Sequence, residues 1–300
     1  MLTNPNPVLE KLGFDGDAHV VIIHADDVGM CQATLPAFAN LLDFGLLSSG
    51  STMVPCPWFP EVADYCQKFP EVDMGVHLTL TSEWKNYRWK PISTNDTASG
   101  IMDSEGYFYR TSPEIQEKGI PYFIKTEIQA QFSLAKKNGI DISHIDTHMF
   151  ALFHPAFISS YISLAQKEQT PLFILNPENE EEWHQADLDE KTKNALTPLL
   201  DGLQKDSFSL FDHVREMPLD EDKNQVEIAK NIFKTLPAGL SLVLLHPAID
   251  TPELRAIAPD WRARVANYQA FKSKELRQYI KNIGIEIINY RDLRKLVQKQ

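Results

Sequence analysis

No stretch of this 300-residue chain is apolar for long enough to cross a bilayer; runs such as Val20 to Ile23 and Leu242 to Leu245 are strand-sized. Basic side chains are outnumbered, 29 Lys and Arg against 41 Asp and Glu, for a formal net charge of -12. Binding along nucleic acid needs a clustered Lys/Arg patch, and none is visible. The basic residues near the C-terminus, Arg291, Arg294, Lys295 and Lys299, read as a solvated helix face. Cysteine is scarce as well. Cys31, Cys56 and Cys66 are odd in number and form no C-x-x-C pair, which argues against a disulfide framework or structural zinc and suits a reducing, cytoplasmic setting. The N-terminus shows no basic segment followed by an apolar one, so no signal peptide is expected. No G-x-G-x-x-G or P-loop follows any strand-like run, leaving a dinucleotide or nucleoside triphosphate site without support. Internal repeats and low-complexity segments are absent too.

What the chain has is an alternation of short β-branched runs with helical patterns. Strands are expected over 19–24, 48–54, 72–80, 143–147, 171–175, 207–214, 241–246 and 285–289. Helices are expected over 32–43, 59–68, 122–138, 155–168, 190–203, 227–235 and 262–283, with a short terminal one after the last strand. The segment 81–120, rich in Ser, Thr, Asn, Asp and Pro, reads as a long loop inserted into a single domain over 1–300, and 176–189 as an acidic connection. Seven or eight strands alternating with helices make an α/β fold with a mostly parallel sheet. The missing glycine-rich loops favour a distorted TIM-like (β/α) barrel over an open sheet. In such a barrel, chemistry belongs at the carboxyl ends of the strands.

His and Asp residues fall at those ends. Asp26 and Asp27 close the first strand, His77 lies late in the third, and His144, Asp146 and His148 straddle the end of the fourth. His246 ends another strand, directly before Pro247. Adjacent carboxylates repel unless a cation or proton lies between them, which suits a metal ligand beside a general base. The same dipeptide also reads as an N-cap and first-turn acid for the next helix. In His144-Ile145-Asp146-Thr147-His148, period-two spacing puts three polar groups on one face, costly in an interior unless paired or metal-bound. Asp146 could fix the tautomer of a ligating histidine. Alone, His77 and His246 read more readily as hydrogen-bonded core residues than as ligands. The signal is the set.

Three motifs, His24-Ala25-Asp26-Asp27-Val28-Gly29, Gly75-Val76-His77-Leu78-Thr79 and His144-Ile145-Asp146-Thr147-His148, resemble those of the YdjC-like carbohydrate deacetylases. That family includes chitooligosaccharide (diacetylchitobiose) deacetylases and a hopanoid-associated branch. The resemblance spans about residues 20 to 290. It implies a distorted TIM-like barrel and one divalent metal, magnesium or zinc, held by Asp27, His77 and His148, with Asp146 and His144 behind the ligands. Asp26 falls where the related polysaccharide deacetylases place a general base, and His246 where they place a histidine that assists the leaving group. The implied reaction removes acetyl groups from N-acetylated sugars, with a small-molecule sugar as partner and neither nucleic acid nor membrane; a homodimer is compatible with it. Hydrolysis of another bond, such as a phosphoester, and sugar binding without catalysis are the rivals. The chain departs from the pattern after the third motif, where Met149, Phe150 and Leu152 stand in place of further histidines. Trp84, Tyr87, Trp89, Tyr107, Phe108 and Tyr109 offer flat faces, of which Trp84 and Trp89 are the expected sugar contacts. They read equally as anchors for the 81–120 segment.

Overall fold

A computed structural model describes residues 6–177, 179–185 and 189–297. Among the described residues seven strands, β1 (His19–Val28), β2 (Ser49–Thr52), β3 (Met74–Leu78), β4 (Ile145–Thr147), β5 (His213–Glu216), β6 (Gly239–Leu245) and β7 (Glu286–Ile287), form one sheet. Every pairing is parallel. The order is β4-β3-β2-β1-β6-β5, with β7 paired to the start of β1. The centre is β1, where Val20, Val21, Ile22 and Ile23 are buried on both faces, as expected of a parallel strand covered by helices on one side and a barrel interior on the other.

The sheet curls into a distorted barrel. Between β4 and β5 the path is carried by isolated parallel bridges, Ile145 to Leu172 and Leu175 to Phe211. The run 171–175, expected as a strand, therefore contributes backbone bonds such as Phe173 N–H to the Ile145 carbonyl without forming a full ladder. The strand expected over 207–214 appears later, as β5.

Helices pack outside. Two, Pro7–Leu12 and Pro252–Ile257, had no expectation behind them. The long helix expected over 262–283 is two, Trp261–Phe271 and Lys274–Asn282, because the Ser273 hydroxyl accepts from the Leu276 N–H and starts a new helix. Nor is 81–120 loop throughout. It contains a 3-10 turn, Thr97–Ser99, and a helix, Ser112–Lys118, capped by Thr111. Part-buried contacts pin it to the barrel. The Glu127 carboxylate accepts from the backbone N–H groups of Ile92 and Ser93 at 3.1 and 2.9 Å, and the Tyr87 hydroxyl donates to the Met30 carbonyl at 2.5 Å. The acidic connection holds a short helix, Glu180–Gln185; its residues 178 and 186–188, like Lys299, lie outside the described residues. Cys31, Cys56 and Cys66 are free and buried. Among the described residues no helix is long and apolar enough to cross a membrane.

Candidate metal centre and its cavity

The sheet's carboxyl edge is where the chain departs from regular geometry. In β1 the register with β2 slips between Ala25 and Val28, and Asp27 sits at φ 61°. A left-handed conformation at a non-glycine residue costs on the order of 1 kcal/mol. The irregularity turns two neighbouring carboxylates, which a regular strand would point to opposite faces, toward one space. Gly29 follows at φ 86°, and a side chain there would press on Val62 and Thr52. Asp26 and Asp27 thus lie within the strand, and the N-cap reading fails because the next helix begins at Thr34.

Asp27 Oδ1, His77 Nε2 and His148 Nδ1 converge. The two ring nitrogens are 3.2 Å apart, and the carboxylate oxygen lies 3.6 Å from the first and 3.3 Å from the second. The outer nitrogen of each imidazole is committed: His77 Nδ1 donates to Asp146 Oδ1 at 2.9 Å, and His148 Nε2 to Glu83 Oε1 at 3.1 Å. With the outer nitrogens acting as donors, both inner nitrogens present lone pairs. Asp27 Oδ1 is buried with no hydrogen-bond partner among the described residues. Two lone pairs and a carboxylate oxygen aimed at one point repel unless a cation or proton lies among them.

The electrostatics agree. Burial opposes protonation of His148, yet Glu83 and Asp27 outweigh it and push its pKa up to about 10. His77 is raised against burial by Asp146 and Asp26. Burial also opposes ionisation of Asp27, but Arg264, whose Nη1 donates to Oδ2 at 2.7 Å, holds its carboxyl well below the usual range. With protons as the only cations available, the carboxylates draw them onto the imidazoles; a divalent ion would do the same work with one charge centre. An imidazole backed by a carboxylate is the ordinary form of a ligating histidine. The three atoms therefore fit one divalent ion. Two other groupings, His24 with His144 and Asp146, and Asp26 with His77 and Asp146, also lie close. Both need Asp146, whose oxygens already accept from His77 and from Ser51 Oγ at 2.7 Å.

Asp26 lies beside this centre, its Oδ2 3.9 Å from His77 Nε2 and 3.8 Å from His246 Nε2. Its Oδ1 is 3.1 Å from His24 Nε2, which is also 3.0 Å from Asp146 Oδ2. Burial disfavours a charged His24, but Asp146 and Asp26 raise its pKa to about 9. His246 follows β6. Its backbone N–H is held by Asn267 Oδ1 at 3.1 Å, and its Nδ1 is 3.7 Å from Glu216 Oε1.

A cavity of about 400 Å³ opens over these groups. It is lined by Asp26, Asp27, His77, Asp146, His148 and His246 among the expected residues, and by Trp84. Two expected residues stand elsewhere. Trp89 is 3 % exposed, donates from Nε1 to the Thr81 carbonyl at 2.7 Å and packs against His148 from behind; it is a support and not a sugar contact. His144 stacks on Tyr290 with centroids 3.7 Å apart, and its Nε2 is 3.8 Å from Asp146, too far to bond. It lies one layer deeper than expected, because β4 ends at Thr147 and the turn that carries His148 breaks the period-two alignment. Glu83, Arg264 and Glu216 carry roles that no motif suggested, and His24, though it opens the first motif, had no role assigned to it.

A model of the family described as YdjC-like protein matches residues 20–282. Among curated proteins, a carbohydrate deacetylase of Thermus thermophilus is 31% identical over 280 residues, which covers 91% of this chain and 93% of the relative. Another, from Thermoanaerobacter pseudethanolicus, is 25% identical over 270 residues, covering 90% and 97%. Among solved structures, an Enterococcus faecalis V583 protein assigned to cellobiose-phosphate cleavage superposes with a TM-score of 0.75 at 23% identity, covering 92% of this chain and 99% of that one. At that identity the likeness speaks to the fold alone.

Proposed function

The chain belongs to the YdjC-like protein family, and from that premise we propose that it is a metal-dependent hydrolase that removes acetyl groups from N-acetylated sugars and releases acetate. The observation that carries the reading is the pair of inward-facing imidazole nitrogens 3.2 Å apart, each ring backed by its own carboxylate, with the unpartnered Asp27 Oδ1 beside them. The names of the relatives, carbohydrate deacetylases, support the substrate class.

Asp27, His77 and His148 hold the ion, which supplies Lewis acidity toward the acetamide. Two imidazoles and a carboxylate suit zinc and other first-row ions better than magnesium, which prefers oxygen donors. Arg264 keeps Asp27 ionised and fixed. Asp26 takes the proton of the attacking water at Oδ2, the oxygen turned toward His77 and His246, while His24 holds Oδ1. His246 delivers a proton to the departing nitrogen. In balance, the water oxygen bonds to the carbonyl carbon, the C–N bond breaks, acetate leaves with that oxygen, and the sugar nitrogen becomes an amine. Trp84, half-buried at the cavity wall and 5.5 Å from the Arg264 guanidinium, offers its face to the sugar ring. The segment 81–120, which supplies Glu83 and Trp84, is then a working part of one catalytic domain.

The test is acetate release from N-acetylglucosamine and its oligosaccharides, with metal and after chelation. Asp26→Asn retains metal and loses about 100-fold or more in turnover; His148→Ala loses the metal itself. Equal metal content and equal rates in the two variants would overturn the assignment.

A further inference from the structure

The cavity has two unlike walls. One carries Asp26, Asp27, His77, His148, His246 and Arg264. The other is contributed by the chain between residues 149 and 244: Met149, Phe150, Phe173, Leu219, Leu242 and Leu244. In that span the only polar lining side chain among the described residues is Glu216, at the rim with 48% of its side chain exposed.

This apolar wall starts in the sector where, among the described residues, β4 and β5 are joined by isolated bridges, and it continues across to β6. Leu242 and Leu244 are two apart on β6 and share its inner face. Both are buried, as is Phe173, so the wall reaches the cavity floor. It is also preformed: Phe173 packs on Phe150, Phe153 and Phe211 with ring centroids 6.0, 5.9 and 5.5 Å away. Met149, 54% exposed, stands at the mouth.

A hydroxyl-rich sugar ring loses hydration against such a surface without regaining hydrogen bonds, and water held there would have few partners. The sugar therefore belongs at the mouth, beside Trp84, and the acyl group at the floor. An acetyl group offers one methyl to a wall lined by several apolar side chains, and a longer acyl chain would meet more of them. Resting on the amide-hydrolase reading above, we propose that the wall formed by Phe150, Phe173, Leu242 and Leu244 receives the acyl part of the substrate, and that the enzyme hydrolyses N-acyl amino sugars with acyl chains longer than acetyl. The reaction balances as before, with the longer carboxylate released in place of acetate.

The experiment compares N-acetyl, N-propionyl, N-butyryl and N-hexanoyl glucosamine and the matching chitobioses, following the freed amine. Each methylene that reaches the wall raises kcat/KM by up to about fourfold, so butyryl substrates are turned over at least as efficiently as acetyl ones. A fall of more than about tenfold from acetyl to propionyl, with acetyl turned over, would overturn this proposal alone. No turnover of any member, acetyl included, by metal-loaded protein would overturn the amide-hydrolase reading and this one with it. In Leu244→Phe, folded by circular dichroism, the butyryl-to-acetyl ratio drops more than about tenfold; an unchanged ratio refutes the placement. Should that variant fail to fold, product inhibition of the native enzyme decides. Butyrate inhibits more tightly than acetate if the wall binds acyl groups, and equally or more weakly if it does not.

Discussion

Replacing Asp146 by Asn probes the centre without touching a proposed ligand. Asp146 meets three partners: His77 Nδ1 at 2.9 Å, Ser51 Oγ at 2.7 Å and His24 Nε2 at 3.0 Å. An asparagine can keep the bond to His77 through its amide oxygen but withdraws the negative charge that makes His77 Nε2 a stronger donor to a cation. Outer carboxylates of this kind are worth about 10–100-fold in metal affinity, or about 1.4–2.7 kcal/mol. The stability loss stays below the roughly 3–5 kcal/mol of a broken buried ion pair, since His24 keeps Asp26 at 3.1 Å and can shed its proton. Zinc competition against a chromophoric chelator at pH 8 measures the affinity. Glu83→Gln acts on the other imidazole and should weaken binding by a similar factor. The facing nitrogens of the two rings are 3.2 Å apart, so the double variant should depart from additivity. Asp73→Asn is the control: that carboxylate is buried and bonded to Ser49 and Ser143 but touches neither His77 nor His148. Native affinity in Asp146→Asn, or a loss no larger than in Asp73→Asn, would refute the reasoning.

Arg264→Met strands the Asp27 carboxylate in a buried position and should cost about 3–5 kcal/mol in urea unfolding without metal; saturating zinc should restore part of it, because the ion binds only the folded site. Gly75→Ala should lower stability by about 1–3 kcal/mol, since its Cβ would overlap the His144 ring, which is clamped against Tyr290 and cannot yield; an unchanged Tm would show that the stack is loose. Asp141 is lowered from 3.8 to about 2 by its bonds to Arg294 and Arg291, against partial burial. A depressed carboxyl stabilises the fold above its unfolded pKa and stops doing so as pH falls through the folded one. Discounted for exposure, that is about 1 kcal/mol at most. Asp141→Asn should therefore be less stable than native by about that amount at pH 6, with the gap closing toward pH 2; a gap that persisted there would assign the loss to something other than charge.

The parts of the fold legible in the sequence were those where the local pattern and the burial agree. The β-branched run at 20–23 is a strand because both its faces are covered, and the alternation of such runs with helical patterns is enough to require parallel crossovers. The pattern misled where pairing depends on distant neighbours. The run 171–175 has a strand's composition, yet forms only bridges because the neighbouring path through Phe211 meets it at a single residue. The helix break at Ser273 was written in the chain as a serine two residues before Glu275, but the apolar periodicity on both sides masked it.

The site was legible to the extent that its chemistry lies on strand ends. Asp26, Asp27, His77, Asp146, His148 and His246 all line one cavity because parallel strands deliver their carboxyl ends to one rim. Residues reached through tertiary packing had no local signature. Glu83 stands 65 positions from His148 in a polar segment where any acid looks solvated. Arg264 is 237 positions from Asp27 and sits on a helix face where an arginine is unremarked. Each supplies a charge opposite to that of the group it meets, so that Asp27 is ionised and His148 is oriented before any cation arrives. This is also why the adjacent pair Asp26-Asp27 can be buried together. With Arg264 on one carboxylate and His24 on the other, the repulsion that a bare dipeptide would feel is compensated within the protein. The irregularity in β1 is then needed only to aim the two groups, and one faces the ligand cluster while its neighbour faces His246.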